Sequence, residues 1–133
     1  VLGLEQIKRL DYNCDKRREN FARWIMMLDS KKFYTDFHQN GNSNFALPLI
    51  LRKKDLELFE KCCILLDEQK VEYRVGTAGG GNQARQPYLE NYNFRAEDLS
   101  NVDHIHDYGL YIGNHPELTF YQIDGIWSKL NAL

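Results

Sequence analysis

Apolar residues fall at Ile7, Leu10, Cys14, Phe21, Trp24 and Leu28. These alternate steps of three and four, with one gap at Arg17, predict a single long amphipathic helix at the N-terminus. Its other side carries Lys16, Arg17, Arg18, Glu19 and Arg23, read as a solvated face with a Glu19 to Arg23 pair rather than an anion patch. Residues 38–44, HQNGNSN, interrupt the pattern with turn formers. The apolar run 45–51, FALPLIL, predicts a strand, and Pro48, which donates no ladder hydrogen bond, assigns it to a sheet edge or a bulge. Asp55 is placed to cap a helix with Leu56, Phe59, Cys63 and Leu66 on its apolar face. A second strand, Val71 to Val75, runs into a glycine-rich loop at 76–81, and a third is expected over Tyr108 to Ile112. Between them, Pro87 to Val102 is irregular and aromatic, with Tyr88, Tyr92 and Phe94, and reads as a partly helical excursion. Thr119 and Gln122 have the spacing of a capping box ahead of a last helix, with Ile123, Ile126, Trp127 and Leu130 on one face. The sum is an α+β chain: a small, mostly antiparallel sheet covered by helices on one face, with a long N-terminal helix.

Composition narrows what such a domain can do. At 133 residues with 43% hydrophobic and 27% charged, the chain holds enough apolar surface for one packed domain. Its net charge of -2 creates no global field for nucleic acid or an anionic membrane. No apolar run approaches the ~20 residues that span a bilayer. Three cysteines, Cys14, Cys62 and Cys63, leave one unpaired in any disulfide scheme, which favours a reducing cytoplasm. Cys62 and Cys63 lack the spacing of a metal or redox motif and are expected to pack on a helix face. The chain opens on Val1, directly in a helical pattern without a cap residue, as expected of a piece of a longer protein.

The least ordinary stretch is Arg74 to Tyr88, RVGTAGGGNQARQPY. Gly79, Gly80 and Gly81 free the backbone to enter φ > 0 and to approach a ligand closely. Asn82, Gln83, Arg85 and Gln86 supply amide and guanidinium donors suited to a nucleotide or a sugar. The stretch is neither a P-loop nor G-x-G-x-x-G, and a plain glycine-rich turn with exposed polar residues remains the alternative. His104 and His106 would share one face of an extended backbone, near Asp103, Asp107 and His115. No Cys or third His completes a recognised zinc pattern, so capping, packing or substrate contact is the preferred role and no metal site is assigned. No G-x-S-x-G or other nucleophile motif is present.

Taken in order, the helix ending in KRRENF, then strand, helix, YRVGTAGGGNQARQPYL and VDHIHDYGLYIGNHPEL resemble the C-terminal region of sugar aminotransferases of the DegT and StrS type. GLEQIKRLD, Gly3 to Asp11, is similar to a helix segment that follows the family's cofactor-binding half, and YIGNHPELTFYQID to its closing strand, turn and helix. Asn13 and Cys14 depart from the residues usual in that helix. The resemblance implies a fold type I, aspartate-aminotransferase-like enzyme, normally a homodimer, that acts on nucleotide-linked 4-keto sugars for surface polysaccharides or antibiotics. It implies pyridoxal phosphate (PLP) in the full-length parent, held by a lysine or, in the dehydratase branch, beside a histidine in its place. That half is not in the sequence, so no catalytic residue is assigned here, no cofactor is expected on the segment alone, and the isolated chain should be inactive. Lys16 and Lys53 fall in exposed patterns and lack the desolvation that a cofactor lysine needs. The RQPY loop looks closest to the branch containing the sugar 3-dehydratases. Residues 1–30 would be a connecting helix and 45–133 the small domain. The resemblance places Arg74, Gly79, Gly80, Gly81, Asn82, Arg85, Gln86, Tyr88 and His106 in the substrate cleft. Arg85 would take a phosphate or sugar hydroxyl, Asn82 and Gln86 would orient the hexose, and Tyr88 would pack on it. Partners are then the missing large domain and a nucleotide sugar. Two alternatives stand beside this reading: a non-catalytic binding module for a sugar nucleotide or protein, and a small metalloprotein built on His104, His106 and His115.

Overall fold

A computed structural model describes residues 2–89, 91–92 and 98–133; Phe94 of the aromatic excursion lies outside the described residues. The N-terminal pattern gives two helices, α1 (Leu2–Ile7) and α2 (Leu10–Met27), separated by a turn at residues 8 and 9 rather than one continuous rod. Burial explains how far the stripe is used. Phe21, Trp24 and Leu28 are in the core, whereas Ile7 and Leu10 are 65% and 53% exposed, so only the second half of the stripe packs within this chain. Arg23 does not pair with Glu19. It donates both arms of its guanidinium to Asp124 at 2.9 and 2.7 Å, while Glu19 accepts from Lys16.

Three strands, β1 (Ala46–Ile50), β2 (Tyr73–Val75) and β3 (Gly109–Gly113), form one antiparallel sheet in the order β1-β3-β2. Pro48 lies on an edge strand as expected, and its carbonyl accepts the Trp24 indole N–H at 2.7 Å. β2 is shorter than the Val71 to Val75 expectation, and β3 begins at Gly109 because Tyr108 ends a helix. Leu47 is opposite Ile112 and Leu49 opposite Leu110, and all four are buried. Alternation then turns Ala46, Pro48, Ile50, Tyr111 and Arg74 to the other face. The inner face packs against α2, α3 (Leu56–Glu68) and α5 (Phe120–Ala132) through Phe21, Trp24, Cys62, Leu66, Ile123 and Leu130.

Local signals set the helix starts. The Asp55 side chain accepts from the Leu58 N–H at 2.9 Å, and Thr119 and Gln122 make the reciprocal bonds of a capping box. On α3 the buried residues are Cys62 and Leu66, with Leu56 59% exposed, so the buried stripe is rotated from the one expected. Burial pushes the Cys62 thiol up to about 12, in keeping with packing rather than chemistry. Residues 104 to 106 are helical, within α4 (Ser100–Tyr108), and not extended. Successive positions on a helix are ~100° apart, so the two imidazoles do not share a face.

Two buried asparagines join α2 to the turn after β3. Asn20 donates to the Asn114 side chain and to the His115 carbonyl, each at 3.2 Å. Asn114 in turn donates to the carbonyls of Arg17 and Asn44 at 2.9 and 2.8 Å.

Candidate substrate-cleft wall

The sheet face opposite the core carries a cleft of about 300 Å³, lined by Phe45, Ala46, Pro48, Ile50, Ile105, Tyr111 and the glycine-loop residue Gly80 among others. Phe45 and Tyr111 form an edge-to-face pair at 5.6 Å, which gives the cleft an aromatic end. A larger groove of about 740 Å³ lies on the helix side, between α5 and residues 69–71. None of the residues expected in a site lines it.

The glycine loop has its own internal geometry. Gly76 to Gly79 form a 3₁₀ turn, closed by a Gly81 N–H to Gly76 carbonyl bond of 2.8 Å. Gly80 has φ of +81°, a conformation that side chains with a Cβ adopt only at a cost of roughly 1–2 kcal/mol. Gly81 meets a different requirement: a Cβ there would sit 2.7 Å from His106 Nδ1 and 2.8 Å from the Gly76 oxygen. One of the three consecutive glycines is thus required by close approach to α4, where a close approach to ligand had been the expectation.

Two polar residues beyond the loop, Asn82 and Arg85, are committed to α4. Asn82 is 5% exposed; its side chain accepts from the Ala84 N–H at 2.8 Å and donates to Asp103 at 2.8 Å. Its backbone N–H donates to His106 Nδ1 at 3.1 Å. Arg85 reaches Asp107 at 2.5 and 3.1 Å and Asp103 at 2.9 Å. That hydrogen bond from Arg85 is the largest influence holding the Asp107 carboxyl below its ordinary range. Arg74 is different. It lies opposite Tyr111, on the cleft side of the sheet, half-exposed, with the more exposed Glu72 as its ion-pair partner at 2.5 Å. Gln86 is half-buried and follows the short 3₁₀ turn Gln83–Arg85, and Tyr88 is 62% exposed on the next one, Pro87–Leu89.

The histidines are engaged separately. His104 Nε2 is 2.6 Å from the Leu51 carbonyl, its ring lies beside Tyr108, and His115 Nδ1 accepts from the Glu117 N–H at 3.3 Å. Among the described residues no group of three or more His, Cys, Asp or Glu is placed to hold a metal.

A match to the DegT/DnrJ/EryC1/StrS aminotransferase family extends over residues 1–131. The chain belongs to that family. Within it, the chain is 30% identical over 132 residues to the lipopolysaccharide biosynthesis protein RfbH of Salmonella typhimurium, covering 96% of this chain and 30% of RfbH. Solved structures share its fold. GDP-4-keto-6-deoxy-D-mannose-3-dehydratase of E. coli, with bound hydrated PLP, superposes with a TM-score of 0.82 at 22% identity, covering 96% of this chain and 33% of the enzyme. A Streptococcus pneumoniae protein in its PMP form gives a TM-score of 0.78 at 15% identity, covering 98% and 33%. The family segment described here therefore spans about a third of the length of the relatives it matches.

The lysines of this family member test whether the segment could anchor the cofactor covalently. None is buried. Lys16 and Lys61 are both pushed up, chiefly by hydrogen bonds to Glu19 and Glu57, the reverse of the depression that activates a cofactor lysine. These residues do not fit the covalent anchor of PLP.

Proposed function

We propose that this chain forms one wall of the substrate cleft of a PLP-dependent enzyme that modifies nucleotide-linked 4-keto sugars, by 3-dehydration or by transamination, for surface polysaccharides or amino and deoxy sugars. One observation carries the reading: Gly80 of the glycine loop borders an apolar cleft on the sheet face turned away from α2, α3 and α5. Family membership supports it, as do the names of RfbH and the dehydratase. The cofactor and its anchor belong, in this reading, to the rest of a longer polypeptide. Residues 1–30 are its connecting helical segment, 45–133 its small domain, and the parent a cytoplasmic homodimer. The exposed stripe of Leu4, Ile7 and Leu10 packs on the large domain. Among the described residues no helix is long and apolar enough to cross a membrane.

Within the cleft, Arg74 meets the anionic part of the nucleotide, since it shares the face of Tyr111 and its carboxylate partner is exposed. Gly79 and Gly80 let the sugar approach backbone, Gly81 seats the loop against α4, and Gln86 and Tyr88 flank the sugar. Asn82, Arg85 and His106 shape the wall from behind, through Asp103 and Asp107.

The test is kinetic, on the complete protein. Arg74→Ala is expected to raise KM for the nucleotide sugar about tenfold or more with kcat little changed, because a charge-assisted contact of ~1.5–3 kcal/mol is lost from ground and transition states alike. An unchanged KM removes Arg74 from the cleft.

A further inference from the structure

We infer that His106 is a positioning residue whose unprotonated Nδ1 holds the Asn82 backbone N–H, and with it the Gly80 wall of the cleft, in place. The inference rests on the proposed function only for what the wall faces; the hold itself is internal to this chain. The imidazole sits against two glycines. Cβ atoms built on Gly76 and Gly81 would lie 3.6 Å from its Cε1 and Nε2, and 2.7 Å from its Nδ1. The glycine loop is therefore also a seat for this ring, closed by the 3.1 Å bond from the Asn82 N–H to Nδ1.

A backbone N–H cannot accept, so Nδ1 must carry the lone pair and the neutral ring its proton on Nε2. The Asn82 side chain is itself held in place, its oxygen accepting from the Ala84 N–H and its amide donating to Asp103. Protonating the ring sets N–H against N–H and leaves a donor of a residue only 5% exposed without its partner. The charged groups around the ring are Asp103 and Asp107 on its own helix and Arg85 from the turn, bonded to both, with Lys54 acting on Asp107 from beyond. The 3₁₀ turn Gly76–Gly79 contributes no titratable side chain, and β3 carries Tyr111 and no charge.

Nuclear magnetic resonance on the full 133-residue chain, free of substrate and cofactor, reads this directly. At neutral pH the His106 ring should show a protonated Nε2 and a bare Nδ1. On acidification the Asn82 amide should shift with the same midpoint as the His106 ring. Its protection from exchange, corrected for the intrinsic rate, should fall roughly three- to tenfold, as expected when one hydrogen bond is lost. His106→Phe should lose that protection at every pH, and His106→Gln, an acceptor that does not titrate, should keep part of it without pH dependence. An Asn82 amide that ignores the ring's titration, or stays protected in His106→Phe, overturns the inference. The wild-type titration stands even if a variant fails to fold. Because no substrate enters the measurement, failure here leaves the cleft reading to its own kinetic test.

Discussion

Gly81 and Gly113 differ in what surrounds them. A methyl on Gly81 would press on His106 and the Gly76 carbonyl, with backbone on two sides, whereas one on Gly113 meets nothing within 4 Å. Gly81→Ala is thus expected to cost about 1–3 kcal/mol by overpacking, and Gly113→Ala to stay within ~0.5 kcal/mol, read from urea midpoints. Asn114 is a second residue whose surroundings decide its worth. Truncating it to alanine removes its bonds to the Arg17 and Asn44 carbonyls and the acceptor of one Asn20 amide hydrogen, with an expected loss of about 2–3 kcal/mol in the same measurement. Neither effect was visible in residue types. The glycine triplet announced unusual backbone, but not that one member serves close packing. Asn114 carries no local signal either, because nothing near it in sequence shows that its side chain is enclosed by segments far away in the chain.

At the scale of elements, helix starts were legible and helix partners were not. Asp55 and Thr119 act on backbone groups within three residues of themselves, so their spacing suffices. The long N-terminal stripe was also visible, yet its division into a buried half and an exposed half depends on where α5 and the sheet stop. The shared face of His104 and His106 was conditional on an extended backbone, and the segment is helical, since a short stretch with mixed polarity has no period of its own and takes the conformation its neighbours impose. The α2 to α5 contact has a pH signature. Asp124 is held below its usual range first by its hydrogen bond from Arg23 and then by that from Trp127. Its folded pKa lies below the unfolded one, so its contribution is present above the ordinary carboxylate range and is lost as pH falls through the folded value. Asp124→Asn should accordingly lower the urea midpoint at neutral pH, with the gap to wild type closing below about pH 4. A gap that persists in acid would assign the loss to packing.

At the scale of the whole molecule, the core is buried around Trp24, Phe33 and Leu130, while Ile7 and Phe45 remain 65% and 67% exposed. No lysine lies in a buried pocket, so treatment of this chain with PLP and borohydride should fix no stoichiometric adduct on a single lysine; one such adduct, located by peptide mapping, would place a cofactor anchor here after all. The family itself could be recognised from motif order, because VGTAGGGNQARQPYL and YIGNHPEL are contiguous strings whose identity needs no folding.

What the sequence determined by itself is therefore what acts within a turn or two of chain: strand and helix periods, caps, the edge position of Pro48, and the motifs that mark the family. Tertiary structure alone decided that Arg85 and Asn82 bind α4, that Arg74 shares the cleft face, and which half of the N-terminal stripe is buried. Those outcomes depend on distances between groups far apart in sequence, and such distances exist only once burial of the shared core has brought the segments together.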